Sequence, residues 1–179
     1  MDFKQRLAVP AGKSLEAVNE GPYFEDIKVG DRLVLEKEPI TRLQIARFAG
    51  ASGDFNPSHV DEDIARDIGG NGGVFAHGML GMGFLGQLLT DYLWDRPLRL
   101  FSTRATKIVR PGDSLKLTAT VSGKWVEDED NIVEFDLVAM DQNGEVTHTG
   151  KAEALLPHRP VQIKPIQKRP DLIRHRVIG

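Results

Sequence analysis

Met79-Leu-Gly-Met-Gly-Phe-Leu-Gly-Gln-Leu-Leu-Thr-Asp-Tyr-Leu93 is the stretch whose reading decides the fold. Its apolar residues are Met79, Leu80, Met82, Phe84, Leu85, Leu88, Leu89, Tyr92 and Leu93. Placed about 100° apart, as on a helix, they run all the way round. A helix that is apolar on every side is expected to be buried on every side. Gly78, Gly81, Gly83 and Gly86 lower its intrinsic helix propensity. They make sense if another backbone must pass close to it. Gly81-Met-Gly-Phe-Leu-Gly86 matches G-x-G-x-x-G formally, but it lies inside this run with no strand before it. Packing glycines account for it better than a dinucleotide site.

After Asp95-Arg-Pro97 the pattern turns to strands. Leu98 to Val109, Ser114 to Val121, Ile132 to Val138 and Val146 to Leu156 are the expected four. Pro111-Gly-Asp113, Glu127 to Asn131 and Asp141-Gln-Asn-Gly144 supply turns between them. The expectation is a meander of four long antiparallel strands wrapping one buried helix, an α+β domain.

Before the helix, a strand is expected around Leu33 to Lys37. Thr41 caps a short helix with Leu43, Ile45, Ala46 and Ala49 at helical spacing, ended by Gly50 and Gly53. Asn56-Pro57 restarts helical structure, with Asn56 as N-cap and Pro57 in the first position; Ser58 with Asp61 offers a capping box one turn later. Either choice puts His59 in the first turn of a helix running to about Ile68. Residues 1–23 read as an arm, 24–156 as the domain, and 157–179 as a basic, proline-punctuated tail.

The 179 residues fit one domain with extensions. Acidic residues number 26 against 23 basic, a net charge of -3, so overall charge gives no reason to expect nucleic acid as a partner. The absence of cysteine excludes thiol catalysis, disulfides and thiolate metal sites. No signal peptide is evident at the N-terminus. The longest apolar stretch, Val74 to Leu89, carries a His, a Gln and several Gly and is too short and polar for a membrane span. A cytoplasmic location is the expectation, although many exported proteins also lack cysteine.

Asp54 and His59 carry the chemistry. A general acid or base needs a pKa near working pH and a place within hydrogen-bond reach of its proton. Histidine supplies the pKa intrinsically. A helix N-terminus would keep His59 neutral, and so basic. On this spacing alone, Asp54 as a turn residue and His59 as a surface residue would be the commoner reading. His77-Gly78 opens the apolar helix, whose first N–H groups are unpaired. A Gly there lets a carbonyl oxygen approach, and the dipole favours developing negative charge. A satisfied core histidine is the equally weighted alternative for His77. His59, His77, His148, His158 and His175 form no H-x-x-x-H, so no metal site is expected. The tail residues Arg159, Lys164, Lys168, Arg169, Arg174 and Arg176 are ordinarily solvated, with contact to substrate phosphates as the alternative.

Ser52-Gly-Asp-Phe-Asn-Pro-Ser-His-Val-Asp61, followed by His77-Gly-Met79, resembles the hydratase motif of the MaoC-like dehydratase family, the (R)-specific enoyl-CoA hydratases. Val109-Arg-Pro-Gly-Asp113 resembles the family's turn before its long hairpin. The resemblance covers roughly Phe24 to Leu156. It implies a hot-dog fold, a curved antiparallel sheet wrapped around a long helix. It also implies that Asp54 and His59 activate one water for syn addition to a 2-enoyl thioester, or run the reverse dehydration. The Gly78 N–H would then receive the thioester oxygen, with His77 and Met79 beside it on the substrate side. Asn56 would shape the turn or orient the pair. The substrate would be an acyl-CoA, CoA being part of it; no cofactor would be required, and the protein would form a homodimer or higher oligomer. One departure stands out: some members carry a Ser on the helix where this chain has Gly86. A hot-dog thioesterase and a non-catalytic partner subunit are the competing readings.

Overall fold

The computed structural model describes residues 21–67 and 72–160. The arm before residue 21 and the tail beyond residue 160 lie outside the described residues. Five strands form one antiparallel sheet: β1 (Arg32–Lys37), β2 (Leu98–Ala105), β3 (Leu115–Glu127), β4 (Asp130–Asp141) and β5 (Val146–Leu155). Their order is β1-β3-β4-β5-β2. The meander therefore comprises β3, β4 and β5 only. β2 ends at Ala105, short of the expected Val109, and the connection from 106 to 114 crosses the sheet to reach β3 on the far side of β4. Strands β3 and β4 run longer than their sequence pattern indicated. They meet in a two-residue turn, Asp128 and Glu129, both at positive φ (47° and 77°), where Asn-Gly would be usual.

Alternation decides which face is inside. Leu115, Leu117, Ala119 and Val121 of β3 and Phe135, Leu137 and Ala139 of β4 are buried, while Lys116 and Asp136 point out. Onto that face packs α3 (Gly78–Leu93), through Leu80, Leu85, Leu88, Leu89 and Leu93. Each fully buried leucine or phenylalanine contributes about 1.5–3 kcal/mol over an exposed one.

Among the described residues, part of the other side of α3 stays exposed. Met79 is 61% exposed, and Gly83 is exposed as well. One sheet covers one face of a helix, so the described residues of one chain do not complete the expected all-round burial. The glycines also differ from expectation. A Cβ on Gly81 would lie 2.3 Å from the His148 ring, and one on Gly78 would lie 3.2 Å from the Ala105 Cβ. They make room for side chains of β5 and β2 rather than for a second backbone.

The segments α1 (Arg42–Ser52) and α2 (Glu62–Asp67) lie between β1 and α3. Thr41 caps α1: its Oγ1 accepts from the Gln44 N–H at 3.1 Å, and the Gln44 side chain accepts from the Thr41 N–H at 2.9 Å. The face of α1 that meets the core is Ile45, Phe48 and Ala49. Leu43, expected on that face, is 58% exposed, and Ala46 is exposed too. No helix among the described residues is long and apolar enough to cross a membrane.

His148 of β5 is only 1% exposed, and burial lowers its pKa below the usual 6.5 despite the favourable Gly78 carbonyl beside it. The unfolded chain takes up a proton near 6.5 that the folded chain refuses, so acidification favours unfolding. Stability is therefore expected to fall as pH drops through 6.5, until the folded-state pKa is passed. Melting temperatures between about pH 7 and about pH 5 check this, and His148→Gln should flatten the slope.

Candidate active site

The Asp54–His59 loop is built from its own side chains. Gly53 ends α1 in the left-handed region (φ 77°), its N–H donating to the Ala49 carbonyl at 2.9 Å. The Asp54 N–H donates to Ser52 Oγ at 3.2 Å, and the Asn56 N–H donates to Asp54 Oδ1 at 3.2 Å. Asn56 Oδ1 accepts from the Ser58 N–H at 3.1 Å and from Ser58 Oγ at 2.9 Å. These are the local bonds that Ser, Asp and Asn prefer to make in turns. Asn56 is thus a turn-shaping residue.

Pro57–His59 forms a single 3-10 turn capped by Asn56, and α2 begins separately at Glu62. The continuous helix expected to reach Ile68 does not form. Asp61 starts α2 instead, its Oδ1 accepting from the N–H groups of Asp63 and Ile64, both at 3.0 Å. The Ser58–Asp61 capping box is therefore absent. His59 closes a three-residue turn, so it does not sit at the start of the expected helix and that helix does not set the state of its ring.

A hydrogen bond orients the ring instead. His59 is buried, and its Nδ1 lies 2.8 Å from the Phe75 carbonyl. A carbonyl only accepts, so Nδ1 carries a hydrogen, and in the neutral ring Nε2 is the acceptor. The ring is held between Phe75, edge-on at 4.8 Å, and His77, stacked at 3.8 Å with 30° between planes. His77 is buried too. Its Nε2 lies 3.0 Å from the Asp54 carbonyl and donates to it, while its Nδ1 has no hydrogen-bond partner. His77 clamps the backbone of Asp54 and stacks on the ring of His59. Met79 lies on the exposed side of the α3 start, next to Gly78.

Asp54, His59 and His77 each offer a ligand atom within 4.8 Å of the others. That is close enough to share a water or a cation. The exposed Asp54 carboxylate and the buried His59 ring can hold such a water between them.

A family model described as "MaoC like domain" matches residues 27–143. The chain belongs to the MaoC-like domain family. A curated relative, an (R)-specific enoyl-CoA hydratase from Rhodospirillum rubrum, is 37% identical over 144 residues, 76% of this chain and 93% of that protein. The MaoC-like dehydratase structure from Rhodospirillum rubrum superposes with a TM-score of 0.69 at 27% identity, covering 79% of this chain and 100% of that one. The (R)-hydratase from A. caviae, described as involved in PHA biosynthesis, gives 0.66 at 26% identity, covering 74% and 99%. The fold is the hot-dog fold that this family shares.

Sequence reasoning brought Asp54, Asn56, His59, His77, Gly78 and Met79 to one region. It did not anticipate Ser58, Phe75 or Phe48, whose ring lies 5.0 Å from His77. It also gave His148 no role. The one available signal was a histidine at an inward position of an alternating strand.

Proposed function

We propose that the chain is a hydro-lyase that adds water to a 2-enoyl-CoA to give the (R)-3-hydroxyacyl-CoA, and catalyses the reverse dehydration. The observation that carries this reading is the Asp54 carboxylate lying within 4.8 Å of a His59 ring nitrogen in a chain 37% identical to an (R)-specific enoyl-CoA hydratase. The two groups hold one water. Its oxygen attacks C3 of the enoyl group while the pair takes one proton from it and returns a proton to C2. Negative charge grows on the thioester oxygen during attack, and the Gly78 N–H at the start of α3 receives it. His77 holds the pair in place. Neither metal nor redox cofactor enters the reaction.

The part of α3 left exposed among the described residues supports a dimer. Met79 and Phe55 (61% and 63% exposed) frame the site, and β2 is an edge strand of the described sheet. A second copy across this face would complete the burial of the helix and wall the acyl group. We place the protein in the cytoplasm. The Arg159 guanidinium pairs with Asp26 at 2.6 Å, so it serves the fold before any phosphate; the other basic tail residues lie outside the described residues.

Purified protein with crotonyl-CoA tests the proposal. Loss of the enoyl-thioester absorbance without release of free thiol is expected. Free thiol would identify a thioesterase instead.

A further inference from the structure

We infer that His148 is a positioning residue for the oxyanion-binding turn of α3; the inference rests on the proposed role of that turn. His148 Nε2 lies 3.1 Å from the Gly78 carbonyl. A carbonyl only accepts, so Nε2 carries the hydrogen and Nδ1 is left to accept. The Thr147 hydroxyl, which donates to the Ala139 carbonyl at 3.2 Å, lies 3.1 Å from Nδ1. The ring is thus tied at both nitrogens, one end to the sheet and the other to the first residue of the helix.

The carbonyl it grips belongs to the peptide that joins Gly78 to Met79. That same peptide carries the Met79 N–H, which with the Gly78 N–H is among the groups that a helix start leaves unpaired. A hydrogen bond to a peptide oxygen polarises the whole unit and makes its N–H a stronger donor. Gly78 is exposed toward the site, while His148 is buried behind it. His77, Gly78, Gly81 and His148 line one small cavity at the start of α3. The buried imidazole therefore acts on the turn without touching substrate: it holds in place Gly78, whose own N–H is the proposed donor, and it polarises the neighbouring Met79 N–H.

Gly81 supplies the second observation. A Cβ there would lie 2.3, 2.4 and 2.9 Å from three atoms of the His148 ring. The helix gives up a residue with better propensity, at a cost of about 0.8–1.0 kcal/mol relative to Ala, at the one position that admits the imidazole. A residue kept only to fill volume would not need its hydrogen-bonding atoms placed on a helix-start carbonyl and a threonine hydroxyl.

Three variants test the assignment: His148→Leu, His148→Gln and Gly81→Ala. Each is assayed for crotonyl-CoA hydration, melting temperature, and affinity for butyryl-CoA and for acetoacetyl-CoA, whose enolate resembles the charge that builds during hydration. His148→Leu and Gly81→Ala should lower kcat by about 10- to 100-fold, less than the ~10²–10³ for losing an oxyanion donor outright. KM and butyryl-CoA affinity should change little, and acetoacetyl-CoA affinity should fall with kcat. His148→Gln, whose amide can still donate to the Gly78 carbonyl, should recover most of the activity. Equal losses in the Leu and Gln variants that follow their melting temperatures would overturn the inference, as would wild-type kcat in folded His148→Leu. Both results leave the hydratase reading intact. A wild-type protein that neither hydrates crotonyl-CoA nor binds acetoacetyl-CoA would remove that reading and the inference with it.

Discussion

Asp54→Asn and His59→Ala are each expected to lower kcat for hydration by about 10²- to 10⁴-fold, the range that positioned acid–base groups contribute. The Asn variant is the cleaner probe. Its side-chain oxygen can still accept from the Asn56 N–H, as Asp54 Oδ1 does at 3.2 Å, so the loop keeps its shape and loses only the charge. His59→Ala removes more. The Nδ1–H bond to the Phe75 carbonyl goes, as does the stack on His77. Leaving one buried acceptor unsatisfied costs about 1–3 kcal/mol, so a lower melting temperature should accompany the lost activity. Because the two groups act on one water, the double variant should be little worse than the worse single one. Multiplying losses would mean that the residues act on separate steps. Wild-type turnover in either single variant would remove the proposed mechanism.

Gly78→Pro is expected to lower kcat by about 10²- to 10³-fold with only a small change in melting temperature. Proline is favoured at the first position of a helix, where its missing N–H has no intrahelical role. The preceding residue, His77, already has φ -56° and ψ 136°, the extended conformation that proline requires before it. The one close neighbour of a new Cβ is that of Ala105, at 3.2 Å, which asks for a shift of a few tenths of an ångström. The substitution therefore deletes the donor and keeps the helix. Gly78→Ala meets the same neighbour but retains the N–H, and should keep most of the activity. Equal losses in Pro and Ala would trace the effect to crowding against Ala105 rather than to the donor.

Sequence patterning revealed the parts of this protein that depend on local chemistry. Thr41 caps α1, Asn56 caps the 3-10 turn, and β3 to β5 alternate, because each is decided by side chains a few residues apart. What it missed is decided at a distance. The partner of β2 is β5, 43 or more residues further along for every aligned pair, and nothing in the alternation of β2 names it. Leu43 and Ala46 share helical spacing with Ile45 and Ala49, yet the rotation of α1 on the core selects Ile45, Phe48 and Ala49. In the site, the loop was legible as D-F-N-P-S-H. The tautomer of His59 was not, because it depends on the carbonyl of Phe75, 16 residues away. The pairing of His148 with Gly78 spans 70 residues.

Hydration of crotonyl-CoA in D2O, with the configuration of the product determined at both new centres, tests the central claim most directly. The proposed mechanism predicts a single diastereomer of 3-hydroxybutyryl-CoA, of (R) configuration at C3 and deuterated at C2 on the face that the water added to. Release of free CoA with no 3-hydroxy product, an (S) centre at C3, or a mixture at C2 would contradict it.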